Sequence, residues 1–149
     1  MLANSINMTR EKYNLDVWAY VLMPNHVHLL IYPNSFDYNV SLILKSIKQS
    51  TSQKIKSRVQ NSGLKLPGLI ENMISGKEFR FWQRGGGYDR NIYEMNLINP
   101  IIEYIHYNPV RKGWVDKPED WKWSSAGFYI EGKKSVVIID KENMNRRMI

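Results

Sequence analysis

No cysteine occurs in the 149-residue chain, which excludes a disulfide framework, a thiolate zinc centre and a cysteine nucleophile. Long apolar runs are missing too. No stretch approaches about 18 uninterrupted apolar residues, and the start, MLANSINMTREKYNLD, lacks the basic-then-apolar pattern and small-residue cleavage site of a signal peptide. The chain therefore reads as cytoplasmic, with no membrane partner. Acidic residues are outnumbered, 14 Asp+Glu against 21 Lys+Arg, which leaves a formal charge of +7. Histidine is scarce, with three in all. Against these absences stand a 43% hydrophobic and 12% aromatic content, too high for a disordered chain. The length suits one domain, 1–149, which at about 150 residues buries roughly 68–70% of its unfolded surface and needs no staples. Five Trp and nine Tyr beside the positive excess favour an anionic partner, since Lys and Arg release counterions from phosphates and aromatic rings stack on unpaired bases. A basic protein without a nucleic-acid partner has the same composition.

Two β-rich runs, Val17 to Met23 (VWAYVLM) and His26 to Tyr32 (HVHLLIY), flank Pro24-Asn25 and read as an antiparallel hairpin. Pro33-Asn34-Ser35 ends the second run, and Val40 to about Gln60 follows with Leu44, Ile47, Ile55 and Val59 near helical spacing. A loop is expected over 62–76, with a short helical piece at Leu69 to Ile74. Glu78 to Gln83 has the aromatic content of a third strand and runs into Arg84-Gly85-Gly86-Gly87, whose glycines free the backbone. Asn99-Pro100 is a helix start, Pro109 a stop or kink, and Val136 to Ile139 a short strand. The polar end, KENMNRRMI within the tail 133–149, is expected to fray. No repeat or low-complexity linker appears. The order describes an α+β layer fold, helices packed on an antiparallel sheet.

Residues i and i+2 of a strand share a face, so His26 and His28 project together while Val27, Leu29 and Ile31 face the other way. Two imidazoles on one strand can make two cis ligands to a divalent metal; the same pattern describes two satisfied histidines on a half-buried strand. Tyr104 and Asn108 are an i,i+4 pair on the second helix. An amide oxygen is a hard ligand for Mg²⁺ or Mn²⁺ and a phenol can act as a covalent nucleophile. From geometry alone the plainer reading, Tyr104 packed on the sheet and Asn108 capping a helix stopped by Pro109, is favoured. His106 reads as a surface helix residue rather than a ligand.

Three segments taken in order, YVLMPNHVHLLI (Tyr20 to Ile31), FWQRGGGYDRNI (Phe81 to Ile92) and EYIHYNPVRKGWVDKPEDWKWSS (Glu103 to Ser125), resemble the REP-associated tyrosine transposases of the single-tyrosine HUH superfamily. The resemblance runs from about Asp16 to Tyr129 and implies a ferredoxin-like antiparallel sheet with flanking helices. It sets His26 and His28 at the family's metal-binding pair, Tyr104 at the nucleophile and Asn108 at a third ligand. The implied activity is metal-dependent cleavage and rejoining of single-stranded or hairpin DNA through a 5′-phosphotyrosine, with Mg²⁺ or Mn²⁺ as cofactor. The alternative is an inactive remnant acting only as a nucleic-acid-binding module. A phenol is protonated at neutral pH, so attack needs a proton acceptor that the sequence leaves unidentified.

Lys45, Lys48, Arg84 and Arg111 are candidates for phosphate contact, and Trp82, Tyr88 and Trp121 for base stacking; each serves equally as a solvated charge or a core aromatic. The Gly85 to Gly87 run would let backbone approach DNA or make a plain turn. Family members carry another strand and a longer first helix before Val17, so residues 1–15 read as the remnant of that helix. The sheet then has an edge to be covered or charged, by a homodimer partner among other means.

Overall fold

The computed structural model describes residues 1–62, 81–83 and 87–148. The chain runs through α1 (Leu2–Lys12), β1 (Leu15–Leu22), β2 (Val27–Pro33), α2 (Val40–Ser62), a 3₁₀ turn (Met95–Leu97), α3 (Ile98–His106), α4 (Asn108–Arg111), a second 3₁₀ turn (Pro118–Asp120), α5 (Ala126–Glu131) and α6 (Lys141–Arg147). This is an α+β arrangement in which helices flank an antiparallel hairpin. Among the described residues no helix is long and apolar enough to cross a membrane.

β1 and β2 pair from Leu15 opposite Pro33 to Leu22 opposite Val27, with a bulge between Val17 and Ala19. The bulge matters for packing, because side chains alternate and one extra residue exchanges the faces. Val17, Tyr20 and Leu22 pack with Ile6 of α1 and Ile43 and Ile47 of α2. Trp18, Ala19 and Val21 turn to the other face, against Ile98, Ile102 and Ile105 of α3 and Met144 of α6. Leu29 and Ile31 join the first cluster and Leu30 the second, as the alternation requires. The buried stripe of α2 is Ile43, Ile47 and Thr51, one residue away from the expected Leu44. Hydroxyls explain the shift: Ser5 Oγ lies 3.1 Å from Ser50 Oγ and Thr9 Oγ1 3.1 Å from Ser46 Oγ, so α1 and α2 meet through small polar residues that an apolar pattern does not register.

The edge of β1 away from β2 is covered by the C-terminal third of the chain. Leu22 N–H donates to Trp123 O at 2.8 Å, Ser125 N–H to Tyr20 O at 3.0 Å and Asp140 N–H to Val17 O at 2.9 Å. Asp140 Oδ2 accepts Val17 N–H at 2.9 Å, and the Tyr129 hydroxyl donates to Trp18 O at 2.7 Å. These bonds satisfy backbone groups that would otherwise form an open edge.

Several expectations need correction. Residues 136–139 form no strand, although Val137 is buried between exposed Val136 and Ile138. The Asn7 side chain takes the place of a neighbouring strand, donating to Val136 O at 3.1 Å and accepting Ile138 N–H at 3.0 Å. The tail does not fray: Met144 is buried, Arg147 lies 4.3 Å over the Tyr32 ring and Asn143 donates to Asp16. α3 begins at Ile98, one residue before Asn99, and carries no side-chain cap. Pro109 does interrupt it: α3 stops at His106, and α4 starts at Asn108 with Pro109 in its first turn. Of the expected third strand, Phe81–Gln83 form a bend and no strand, while 78–80 lie outside the described residues, as do the loop at 63–76, its helical piece, Arg84, Gly85 and Gly86. Gly87 has φ +97°, a left-handed conformation that favours glycine.

Candidate active site

Both faces of the hairpin are polar at intervals, yet only one carries the predicted chemistry. His28 stands opposite Val21, on the face covered by α3. His26 lies one residue before β2, where its carbonyl accepts Met23 N–H at 2.9 Å and closes the turn. The two imidazoles still come together, 5.0 Å between ring centroids at 79°. Burial and the neighbouring His26 both push the His28 pKa down, holding it in the neutral form that ligates metals.

α3 brings Tyr104 to this pair: its ring lies 5.6 Å from His28, edge-on at 79°, and is 49% exposed, open to a large substrate. Asn108, only 6% exposed, places its Oδ1 3.4 Å from His26 Nε2. His26 Nδ1 is 2.7 Å from Asn25 Oδ1. With that proton donated to Asn25, Nε2 turns a lone pair toward Asn108 Oδ1, and two acceptors face each other. A cation relieves such an arrangement. Ligand atoms each about 2.1 Å from one ion stand roughly 3.0–3.4 Å apart at bite angles from octahedral to tetrahedral, which the observed separation fits. Among the described residues no group of three His, Cys, Asp or Glu could hold a metal, so a cation bound by His26 and His28 would take its third protein donor from the Asn108 amide.

The remaining predicted contacts divide. Arg111 lies with its guanidinium 4.4 Å over the Tyr104 ring, at the site itself. Lys45 and Lys48 belong to α2, which packs on the opposite face of the hairpin, so they do not join it. The Trp82 indole donates to Lys48 O at 3.0 Å and holds that segment to α2. Trp121 donates to Leu22 O at 3.1 Å and packs against the core, which makes it structural; Trp114 and Trp123 are the exposed indoles of that region. Tyr88 is exposed.

His106 is not at the surface. It is 5% exposed, with Nε2 2.7 Å from Ser125 Oγ, and Ser125 Oγ in turn accepts Tyr20 N–H at 3.0 Å. Burial pushes its pKa down to about 4, so it is neutral at neutral pH and ties α3 to β1. The spacing carries the signal: Ile98, Ile102, Ile105 and His106 are one helical stripe, i, i+4, i+7, i+8. Asn25, which orients His26, carries no signal in the sequence beyond turn chemistry.

A chain with this geometry matches the family described as Transposase IS200 like over residues 1–108. A Haemophilus influenzae protein described as a REP-associated tyrosine transposase is 25% identical over 122 residues, 82% of this chain and 65% of that protein. The chain thus spans about 65% of the length of that curated relative. A solved structure of a REP-associated tyrosine transposase bound to a REP hairpin is similar in fold, with a TM-score of 0.55 and 23% identity, covering 92% of this chain and 70% of that one.

Proposed function

The chain belongs to the IS200-like transposase family, and from that premise we propose that it cleaves and rejoins single-stranded or hairpin DNA, with Tyr104 as nucleophile. The observation that carries the reading is the convergence of Tyr104, His26, His28 and Asn108 at the turn end of the hairpin. His26, His28 and Asn108 would hold a divalent cation, Mg²⁺ or Mn²⁺. When bound it supplies positive charge to a nonbridging oxygen of the scissile phosphate.

In the cleavage step the Tyr104 hydroxyl oxygen attacks phosphorus. An Oη–P bond forms, the P–O3′ bond breaks, the phenolic proton is released, and O3′ leaves as a hydroxyl after taking up a proton. The 5′ end of the DNA stays on Tyr104 as a phosphodiester. Attack by another 3′-hydroxyl reverses the step and joins strands, and no external energy source is needed because the phosphodiester is conserved. The half-exposed setting of Tyr104 admits a polymeric substrate, while buried His106 keeps the helix that carries Tyr104 against β1.

The test is incubation of the protein with Mn²⁺ and labelled single-stranded hairpin oligonucleotides, followed by a denaturing gel. A protein-linked label that vanishes in Tyr104→Phe, with DNA binding retained, is the expected result. Retained binding without any adduct from the wild-type chain would instead identify a nucleic-acid-binding module.

A further inference from the structure

An arginine whose task is to track the DNA backbone would extend from the protein toward solvent. Arg111 folds back instead, its guanidinium 4.4 Å over the centroid of the Tyr104 ring. Seven residues separate the two, about two helical turns, so they share a side of the α3–α4 segment. The interruption at Pro109 does not break this relation, because α4 continues at Asn108 and Arg111 N–H donates to Tyr107 O at 2.9 Å. Among the described residues no carboxylate forms an ion pair with Arg111, so its charge is directed at the phenol.

We propose that Arg111 is a positioning residue for Tyr104, acting through the ring rather than through the DNA. This rests on the reading of Tyr104 as nucleophile. A half-exposed tyrosine on a helix surface would exchange rotamers freely, and here two contacts restrain it: the edge contact with His28 and the guanidinium on its face. Restraint keeps the hydroxyl near its line of attack, which lowers the entropic part of the barrier. The charge adds a second effect. As the phenol loses its proton during attack, negative charge grows in the ring system, and a cation stacked on that ring interacts more strongly with the transition state than with the ground state. Lysine would keep the charge without the planar group that lies on the ring.

The experiment measures single-turnover adduct formation at saturating hairpin DNA, with DNA affinity measured separately. Arg111→Ala is expected to slow adduct formation about tenfold, within the range a cation–π contact supports, while the Kd for DNA changes less than about twofold. Arg111→Lys is expected to recover only part of the rate, and added guanidinium ion to restore part of it in Arg111→Ala but not in Tyr104→Phe. In ¹³C-tyrosine NMR spectra of the full chain, the Tyr104 ring signal, assigned with Tyr104→Phe, is expected to move in Arg111→Ala. Equal losses of rate and affinity would make Arg111 a phosphate contact and overturn the proposal. So would an unchanged rate, or an unmoved ring signal. A wild-type chain that forms no adduct with any hairpin would remove the nucleophile reading and this proposal with it, whereas normal wild-type labelling with an unaffected Arg111→Ala rate would sink this proposal alone.

Discussion

The two ends of the β1–β2 hairpin use similar residue types to opposite effect. At the open end, where Leu15 pairs with Pro33, charges meet partners. Arg10 pairs with Asp140, Asn34 and Asn143 donate to Asp16 Oδ1, and the buried Asp16 Oδ2, which accepts no hydrogen bond among the described residues, has the charge of Arg147 Nε 3.8 Å away. At the turn end, where Leu22 pairs with Val27, His26 Nε2 and Asn108 Oδ1 stand 3.4 Å apart, two acceptors when the imidazole is neutral and donates through Nδ1 to Asn25, and Arg111 rests on a phenol. Compensated polar groups hold the fold together. Uncompensated ones cost stability, and a site that receives a phosphate and a cation, as proposed for this one, would keep them for that purpose.

The largest stability effect should therefore come from the open end. Asp140→Ala strands the Arg10 guanidinium and the Val17 N–H and should cost about 2–3 kcal/mol, a Tm drop of roughly 5–10 °C for a chain of this size. Tyr104→Phe should leave Tm where it is. Thermal melts of the two variants decide the matter, and an Asp140→Ala protein that melts with the wild type would erase the contrast between the ends.

Next in size is the response to metal at the turn end. At a Mn²⁺ concentration near 100 times Kd, binding to the native state alone stabilises by about 2.7 kcal/mol, so the wild-type Tm should rise by several degrees. His28→Ala should lose that rise while melting close to the metal-free wild type, since it removes no compensated pair. A Mn²⁺ shift that survives in His28→Ala would place the cation elsewhere.

Much of this architecture is legible in the sequence where the determinants are local. The hairpin follows from two β-rich runs around Pro24-Asn25 and α2 from periodicity; the grouping of His26 and His28 with Tyr104 and Asn108, about 80 residues apart, is legible only through the family resemblance that two distinctive strings carry. What escapes depends on partners distant in the chain. His106 reads as a surface residue because its polarity outweighs its place on the apolar stripe of α3, and the partner that satisfies it, Ser125, stands 19 residues away; the tail reads as frayed because Arg10 and Asp16, which anchor it, lie more than a hundred residues upstream. Polarity marks these residues as exposed, and tertiary pairing reverses the outcome.

His106 also gives the contrast a pH dependence. Its pKa falls from about 6.5 unfolded to about 4 in the folded chain, so folding disfavours the protonated ring. The corresponding stability is fully present above pH 6.5 and is lost as pH falls through 4. His106→Gln can keep a hydrogen bond to Ser125 without titrating. The Tm difference between wild type and variant should accordingly move against the wild type as pH drops from 7 to 4.5, and parallel curves would show that His106 does not carry this acid sensitivity.

The smallest effect tests whether one side chain can replace a strand. Asn7 holds both Val136 O and Ile138 N–H, and the Val137 side chain between them is buried with Ile6 and Val17. Two partly solvated hydrogen bonds are worth about 1 kcal/mol net, so Asn7→Ala should lower Tm by only a few degrees. The local consequence should be larger than the global one: without the clamp, the amide of Ile138 loses its acceptor and should exchange with solvent markedly faster, while the β1 amide of Tyr20, held by Ser125, stays protected. Hydrogen exchange followed residue by residue separates the two. Unchanged protection at Ile138 would mean that burial of Val137, rather than the asparagine, fixes this segment, and that the compensation seen at the open end does not extend along the edge of the sheet.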